Sequence, residues 1–247
     1  MLKNKKIYFL LIGVFVCHNM VFAQQVNLLE ETTKMRNAYQ QHAFLSYQVK
    51  YTISSATQPE QVIDTLGGMM KICGSKYWGT LNAIEFMQNN EYMVSAYHDY
   101  KMIKVDTPSA MYPALANLVF MDSLLGKDNY TLTASTIGND KALSFVFKEN
   151  KFAYKSFTML YDARTYFLKQ FSYITKADDD DDTGPYDNGL PKGDRLTKVE
   201  FTNYNTNVFD TAVFNTENYF SRADTVLNPL GKFADYQLNI GSSNVIK

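Results

Sequence analysis

Cysteine is nearly missing from this sequence. Two occur in 247 residues, and Cys17 lies in a leader-like segment, so Cys73 would stand alone in the remainder. An internal disulfide is thereby excluded and packing has to hold the chain together. No His or basic cluster stands beside Cys73 in sequence to activate its thiol, which reads as a small buried hydrophobe. Histidine is equally scarce, at three. His18 is in the leader, His42 ends the first expected helix and His98 falls in an expected turn, so the last two read as surface residues. A Ser or Cys nucleophile needs a base held beside it, and the chain also lacks Gly-x-Ser-x-Gly, His-Glu-x-x-His and a Gly-rich phosphate loop. No enzyme, cofactor or metal site is expected.

Positive charge is not in excess either. Beyond residue 23, which takes three of the 24 basic residues with it, 21 basic residues face 25 acidic ones, a balance of −4. Nothing is left over to meet a nucleic-acid backbone, which needs a concentrated basic patch. Long apolar runs are missing too. The stretch 7–16 is apolar, but His18 and Asn19 interrupt it well before the roughly 20 residues that a membrane helix needs.

What is present begins with that stretch. Lys3, Lys5 and Lys6 precede it, and Val21-Phe22-Ala23 follows, which is the pattern of a secretory signal peptide cut after Ala23. Val14-Phe15-Val16 stands before Cys17, where a lipoprotein signal wants a small residue. The expected product is residues 24–247, one exported domain with no transmembrane segment, acting as a monomer. Tyr and Phe number 18 and 17, a composition suited to half-buried strands.

Residues 26–43 keep helical spacing, with Leu28, Leu29, Met35 and Tyr39 set among charged residues. From Phe44 the period becomes two: Leu45, Tyr47, Val49, Tyr51 and Ile53 alternate with polar residues. Further strands are expected at 62–73, 76–86, 91–98 and 100–106, then at 129–137, 141–148, 153–161, 165–175 and 195–204. A short turn near 210–214 and a final strand within 235–240 complete the pattern. Between the two series, 114–125 is apolar nearly all round and reads as a buried helix. The loop 176–194 holds five consecutive aspartates. Asp179, Asp181, Thr183 and Gly184 follow calcium-loop spacing, but Leu190 stands where the bidentate Glu belongs, so the segment reads as a solvated acidic loop.

The fold class expected is α+β and β-dominated: an unclosed half-barrel of about ten antiparallel strands, with an N-terminal helix. Such a sheet twists and curls, and the apolar helix 114–125 would fill the concave face. The stretches Phe201 to Asn207, Tyr161 to Leu168 and Gly74 to Trp78 together resemble the periplasmic lipoprotein carrier family, LolA-like and LolB-like. Phe201-Thr202-Asn203-Tyr204-Asn205-Thr206-Asn207, followed by Asp210 and Val213-Phe214, is similar to the family's late strand and its connection. Tyr161-Asp162-Ala163-Arg164-Thr165-Tyr166-Phe167-Leu168 resembles a family hairpin. Gly74-Ser75-Lys76-Tyr77-Trp78 resembles the entry to an early strand, and Asn90-Glu91, Tyr97-His98-Asp99 and Val105 fit the next hairpin. The likeness covers most of 27–220 in element order. It departs at the early strand, where the carriers have a lid-holding arginine and this chain has Lys76, Tyr77 and Trp78, and at the additional acidic loop.

The resemblance implies an unclosed barrel with a helical lid over an apolar cavity. The function it suggests is a periplasmic, non-catalytic carrier or chaperone-like protein for acyl chains or acylated protein. The alternative is an interaction or envelope-sensing module for a protein partner. By alternation, Val49, Tyr51, Trp78, Met93, Phe145 and Met159 are candidate cavity residues, with Leu115, Leu118 and Val119 on the lid. The abundant methionines would suit a floor that adapts to irregular chains.

Overall fold

The computed structural model describes residues 27–108, 129–148, 153–176, 193–241 and 245. The leader, the helix expected at 114–125 with Leu115, Leu118 and Val119, and nearly all of the acidic loop lie outside the described residues. Helix α1 spans Leu28–Gln40, with the Asn27 side chain accepting a hydrogen bond from the Glu30 amide at 3.3 Å and acidic residues filling its first turn. Both features favour a helix N-terminus.

The strands are β1 Phe44–Ser55, β2 Val62–Cys73, β3 Lys76–Leu81, β4 Ile84–Gln88, β5 Met93–Tyr97 and β6 Met102–Asp106. Then come β7 Tyr130–Ile137, β8 Asp140–Phe147, β9 Tyr154–Asp162, β10 Leu168–Thr175 and β11 Arg195–Asn205. The last three are β12 Phe220–Ala223, β13 Val226–Pro229 and β14 Gln237–Ile240. Twelve of them form one curved, unclosed sheet in the order β14-β6-β5-β4-β3-β2-β1-β11-β10-β9-β8-β7, while β12 and β13 pair as a separate hairpin. The fold is β-dominated α+β, as the sequence implies.

Three details differ from the sequence reading. The single strand expected at 76–86 is the hairpin β3-β4, turning at Asn82 with a φ of +47°. Asn tolerates that left-handed conformation better than most residues. The sheet is not wholly antiparallel, because β14 returns to lie parallel to β6. The strand expected from 165 starts at Leu168, because Asp162 accepts hydrogen bonds from the Arg164 and Thr165 amides and holds a turn through Tyr166.

Two glycines mark a close approach of β2 and β3. A Cβ on Gly68 would stand 1.9 Å from the Thr80 carbonyl oxygen, and one on Gly79 would meet Met70 and Phe86. Only bare backbone fits at these two positions, where β2 and β3 approach closely.

The two faces are covered by different segments at opposite ends. On one face α1 lays Leu28 and Met35 against Leu143, Met159, Tyr161 and Leu168 of β8 to β10. On the other, Tyr219, Phe220, Leu227 and Phe233 from the C-terminal region cover Met87, Val94, Ala96, Ile103 and Val105 of β4 to β6. Each cover is secured by a buried glutamate. Glu31 of α1 accepts hydrogen bonds from Tyr161 Oη at 2.7 Å and Lys141 Nζ at 3.1 Å. Glu85 of β4 accepts from Trp78 Nε1 at 3.0 Å, Tyr219 Oη at 2.8 Å and Lys232 Nζ at 2.6 Å. Burial pushes both carboxyls upward. Hydrogen bonds from Tyr161 and Lys141 in one case, and from Lys232, Trp78 and Tyr219 in the other, outweigh it and hold them below the ordinary value of 4.5.

Removing a carboxylate that satisfies several buried donors is costly. Glu85→Ala should destabilise by about 3 kcal/mol in urea unfolding; a loss within error of zero would show that the tail is held by packing alone. Both glutamates release protons more readily folded than unfolded, so acid favours the unfolded chain. Their contribution is complete at neutral pH and is lost as the pH falls through 4.5 and below. The urea midpoint should drop over that window, and Glu31→Gln with Glu85→Gln should flatten the drop. An unchanged slope in the double variant would refute the assignment.

Candidate functional site

Strand register sorts the candidate residues by face. Val49 opposes Phe201 and Gly68, and Tyr51 opposes Val199 and Leu66. Following the ladders, Phe171 opposes Met159, and Phe157 lies between Tyr173 and Phe145. All of these project from the face that carries α1, as does Met93 at the far end of the sheet. Trp78, opposite Lys71 and Met87, projects from the other face and packs against the C-terminal cover.

Along β8 to β10 the helix-bearing face has two zones. Leu143, Phe145, Met159, Tyr161 and Leu168 are buried together with the apolar side of α1. Phe145 and Met159, at 3% and 1% exposed, are therefore part of a closed core. Beyond them lies a run of half-buried aromatic rings. Phe157 stacks on Phe171 with centroids 5.7 Å apart, meets Phe147 edge-on at 5.5 Å and lies 5.9 Å from Tyr173. Tyr154 joins at 4.8 Å from Phe157 and 5.6 Å from Tyr173. A register shift between Ile174 and Thr175 sets Tyr154 opposite Thr175, which turns its ring into this group. Tyr51 continues the row from β1: burial pushes its phenol pKa up, and the neighbouring Tyr173 adds to the shift.

Sequence reasoning singled out Tyr51 and Val49 but passed over Phe147, Phe157, Phe171 and Tyr173. Their signal was the alternation in β9 and β10, where Phe157, Met159 and Tyr161, and Phe171 and Tyr173, share a side. What alternation could not show is which members α1 covers.

Next to this row, on the β11 side, tyrosines close the end of the helix. Tyr204 Oη donates to the Leu168 carbonyl at 2.8 Å, so Tyr39 Oη donates to Tyr204 at 2.7 Å while accepting from the Leu168 amide at 3.2 Å. Burial pushes the Tyr39 phenol up to about 12 and raises that of Tyr204 as well, and both stay protonated as a structural latch.

Two polar places offer other chemistry. A hollow of about 560 Å³ opens on the opposite face, bordered by Gln48, Lys50, Thr65, Gly67, Glu200 and Thr202. Its rim carries both charges, Lys50 and Glu200, with Val49 and Gly68 at its floor. The second is His98, which is not the free surface residue expected. Its ring stacks on Phe233, its Nδ1 lies 2.9 Å from Tyr236 Oη, and its Nε2 is 3.8 Å from Glu85. Histidine beside carboxylate suggests a general base, yet every partner here is engaged in holding the tail. Among the described residues no group of three or more His, Cys, Asp or Glu could hold a metal ion, and no helix is long and apolar enough to cross a membrane.

No protein-family model matches the chain, and no curated protein does. Among solved structures it is similar to an uncharacterized conserved protein from Thermus thermophilus at 8% identity, covering 86% of this chain and 98% of that one, with a TM-score of 0.48. It is also similar to a LolA superfamily protein from Nitrosomonas europaea at 8% identity, with 77% and 98% covered and a TM-score of 0.32. The complex of MucA and MucB from Pseudomonas aeruginosa is matched at 11% identity, with 75% and 59% covered and a TM-score of 0.38. These are likenesses in the course of the chain, and nothing about what it binds follows from them.

Proposed function

We propose that this chain is an exported, non-catalytic carrier whose helix-bearing face receives acyl chains, free or attached to a protein. The observation that carries the reading is the row of half-buried rings formed by Tyr51, Phe147, Phe157, Phe171 and Tyr173. Rings left half-buried next to a closed core are an apolar surface that ligand can finish burying. Each methylene withdrawn from water contributes about 0.8 kcal/mol, so a long acyl chain gains ample affinity with no catalytic group. The basic, apolar and small-residue order of the first 23 residues supports an address outside the cytoplasm.

A second reading, a module for a protein partner, is favoured by the sheet's end. Strand β7 terminates the ladder among the described residues, with Thr131, Ser135, Thr136 and Ile137 exposed. Such an edge can be extended by a partner strand.

Native mass spectrometry of protein recovered from the cell envelope should find co-purified lipid or lipopeptide. An added acylated lipopeptide should bind the emptied protein, and Phe157→Ser should weaken it about tenfold, equivalent to roughly 1.4 kcal/mol. Protein that is consistently empty and takes up no lipopeptide would defeat the carrier reading, and a single folded partner in its place would select the second.

A further inference from the structure

Helix α1 carries two cations, and they are treated differently. Lys34 lies 2.7 Å from Glu30 and 3.4 Å from Glu31, so its charge is met. Arg36 meets no carboxylate among the described residues: its Nη2 donates to Thr33 Oγ1 at 3.4 Å, and its Nε is shielded from solvent with no hydrogen-bond partner. A shielded donor without an acceptor is uncommon in a folded chain and calls for a reason.

The direction in which Arg36 leaves the helix follows from its register. Glu31 meets Lys141 and Tyr161, and both Lys141 and Lys34 approach the Tyr166 ring at 5.6 Å and 5.8 Å, so that flank of α1 faces the turns at the ends of β8 and β9. At about 100° per residue, Arg36 stands roughly 140° around the axis from Glu31. It therefore belongs to the opposite flank, which looks along the strands toward Phe157 and Phe171. The guanidinium thus stands on the flank of α1 turned toward the aromatic row.

We propose that Arg36 is the anion-binding residue of this face, so that the cargo is an amphiphile whose acyl chain lies on the rings and whose oxyanion is taken by the guanidinium. This rests on the carrier reading above. The planar fork of arginine matches the paired oxygens of a carboxylate or a phosphate, and charge-assisted hydrogen bonds of this kind are stronger than neutral ones. The same oxygen chemistry could come from a fatty-acid carboxylate or from a lipid phosphate.

The test is displacement of the fluorescent probe N-phenyl-1-naphthylamine from the mature chain by three ligands with the same sixteen-carbon chain: palmitate, palmitoyl-lysophosphatidylglycerol and neutral 1-monopalmitoylglycerol. Arg36→Gln, which keeps a good helix former on the flank, should raise the half-displacing concentration of at least one anionic ligand by about tenfold, or roughly 1.4 kcal/mol. The neutral ligand should change less than about twofold, and Arg36→Lys should restore part of the loss. The anionic ligand that loses more identifies the source of the oxyanion. Loss of affinity for all three alike, or for none, overturns the assignment of Arg36 while leaving the carrier reading standing. If none of the three displaces the probe from the unaltered protein, the carrier reading falls and this inference with it.

Discussion

A sheet of twelve strands that is apolar on one face at one end, and on the other face at the other, can be soluble only if segments outside the sheet cover both places. Helix α1 and the C-terminal region are those covers. In each case a glutamate that accepts hydrogen bonds from across the interface, from Tyr161 and Lys141 or from Tyr219 and Lys232, holds the cover in place. A buried carboxylate is expensive unless every lone pair finds a donor, and that requirement makes the interaction specific as well as strong. Were α1 to slide by one turn, Glu31 would leave Tyr161 and Lys141 behind and stand unpaired in an apolar cluster. Apolar contacts alone tolerate such slippage far better, because Leu28 and Met35 would find similar surface nearby.

The candidate site is a consequence of where Glu31 puts the helix. Anchored over Leu143, Met159 and Tyr161, α1 completes the burial of one end of β8 to β10, while Phe157, Phe171 and Tyr173 stay half-buried. These rings are held rigidly by their own stacking, with interplanar angles from 20° to 85° among Phe147, Phe157 and Phe171, and they keep part of their surface available. Rigid aromatic surface loses little conformational entropy when a ligand settles on it. The wall and the floor of the site thus come from different sequence regions joined by one polar contact.

Much of this was legible in the residues. Period-two alternation placed β1, β2 and β7 to β11 within a few residues, and it did so because those strands bury one face each. It failed where that premise failed. In β4 to β6 the residues Met87, Val94, Ile103 and Val105 are buried on one side while Phe86, Met93, Tyr97 and Met102 are half-buried on the other. With both sides apolar, the hairpin at Asn82 carried no change of pattern to mark it, and β3 and β4 read as one strand. The hairpin β12-β13 and the parallel return of β14 were hidden for another reason, since short strands set by long-range pairing have no local signature. The buried roles of Glu31 and Glu85 were equally invisible, because an acidic residue in a helix's first turn or an alternating strand reads as solvated until its donors are seen.

That last blindness explains how the site is divided between sequence and structure. The rings of the floor could be read from composition and alternation, since aromatic side chains on a strand announce themselves. The selectivity of the floor could not, because it depends on which charges are already spent. Lys34, Lys141 and Lys232 look as available in the sequence as Arg36, yet each of the three faces a carboxylate, and Lys71 is set over the Trp78 and Phe209 rings. A cation that the fold has already neutralised adds little to recognition, whereas one held beside apolar surface without a counter-ion attracts an anion more strongly than the same group in water. On the proposed carrier reading, the choice between a neutral and an acidic amphiphile is a property of the helix's flank, set by the pairing of Glu31 on the other side.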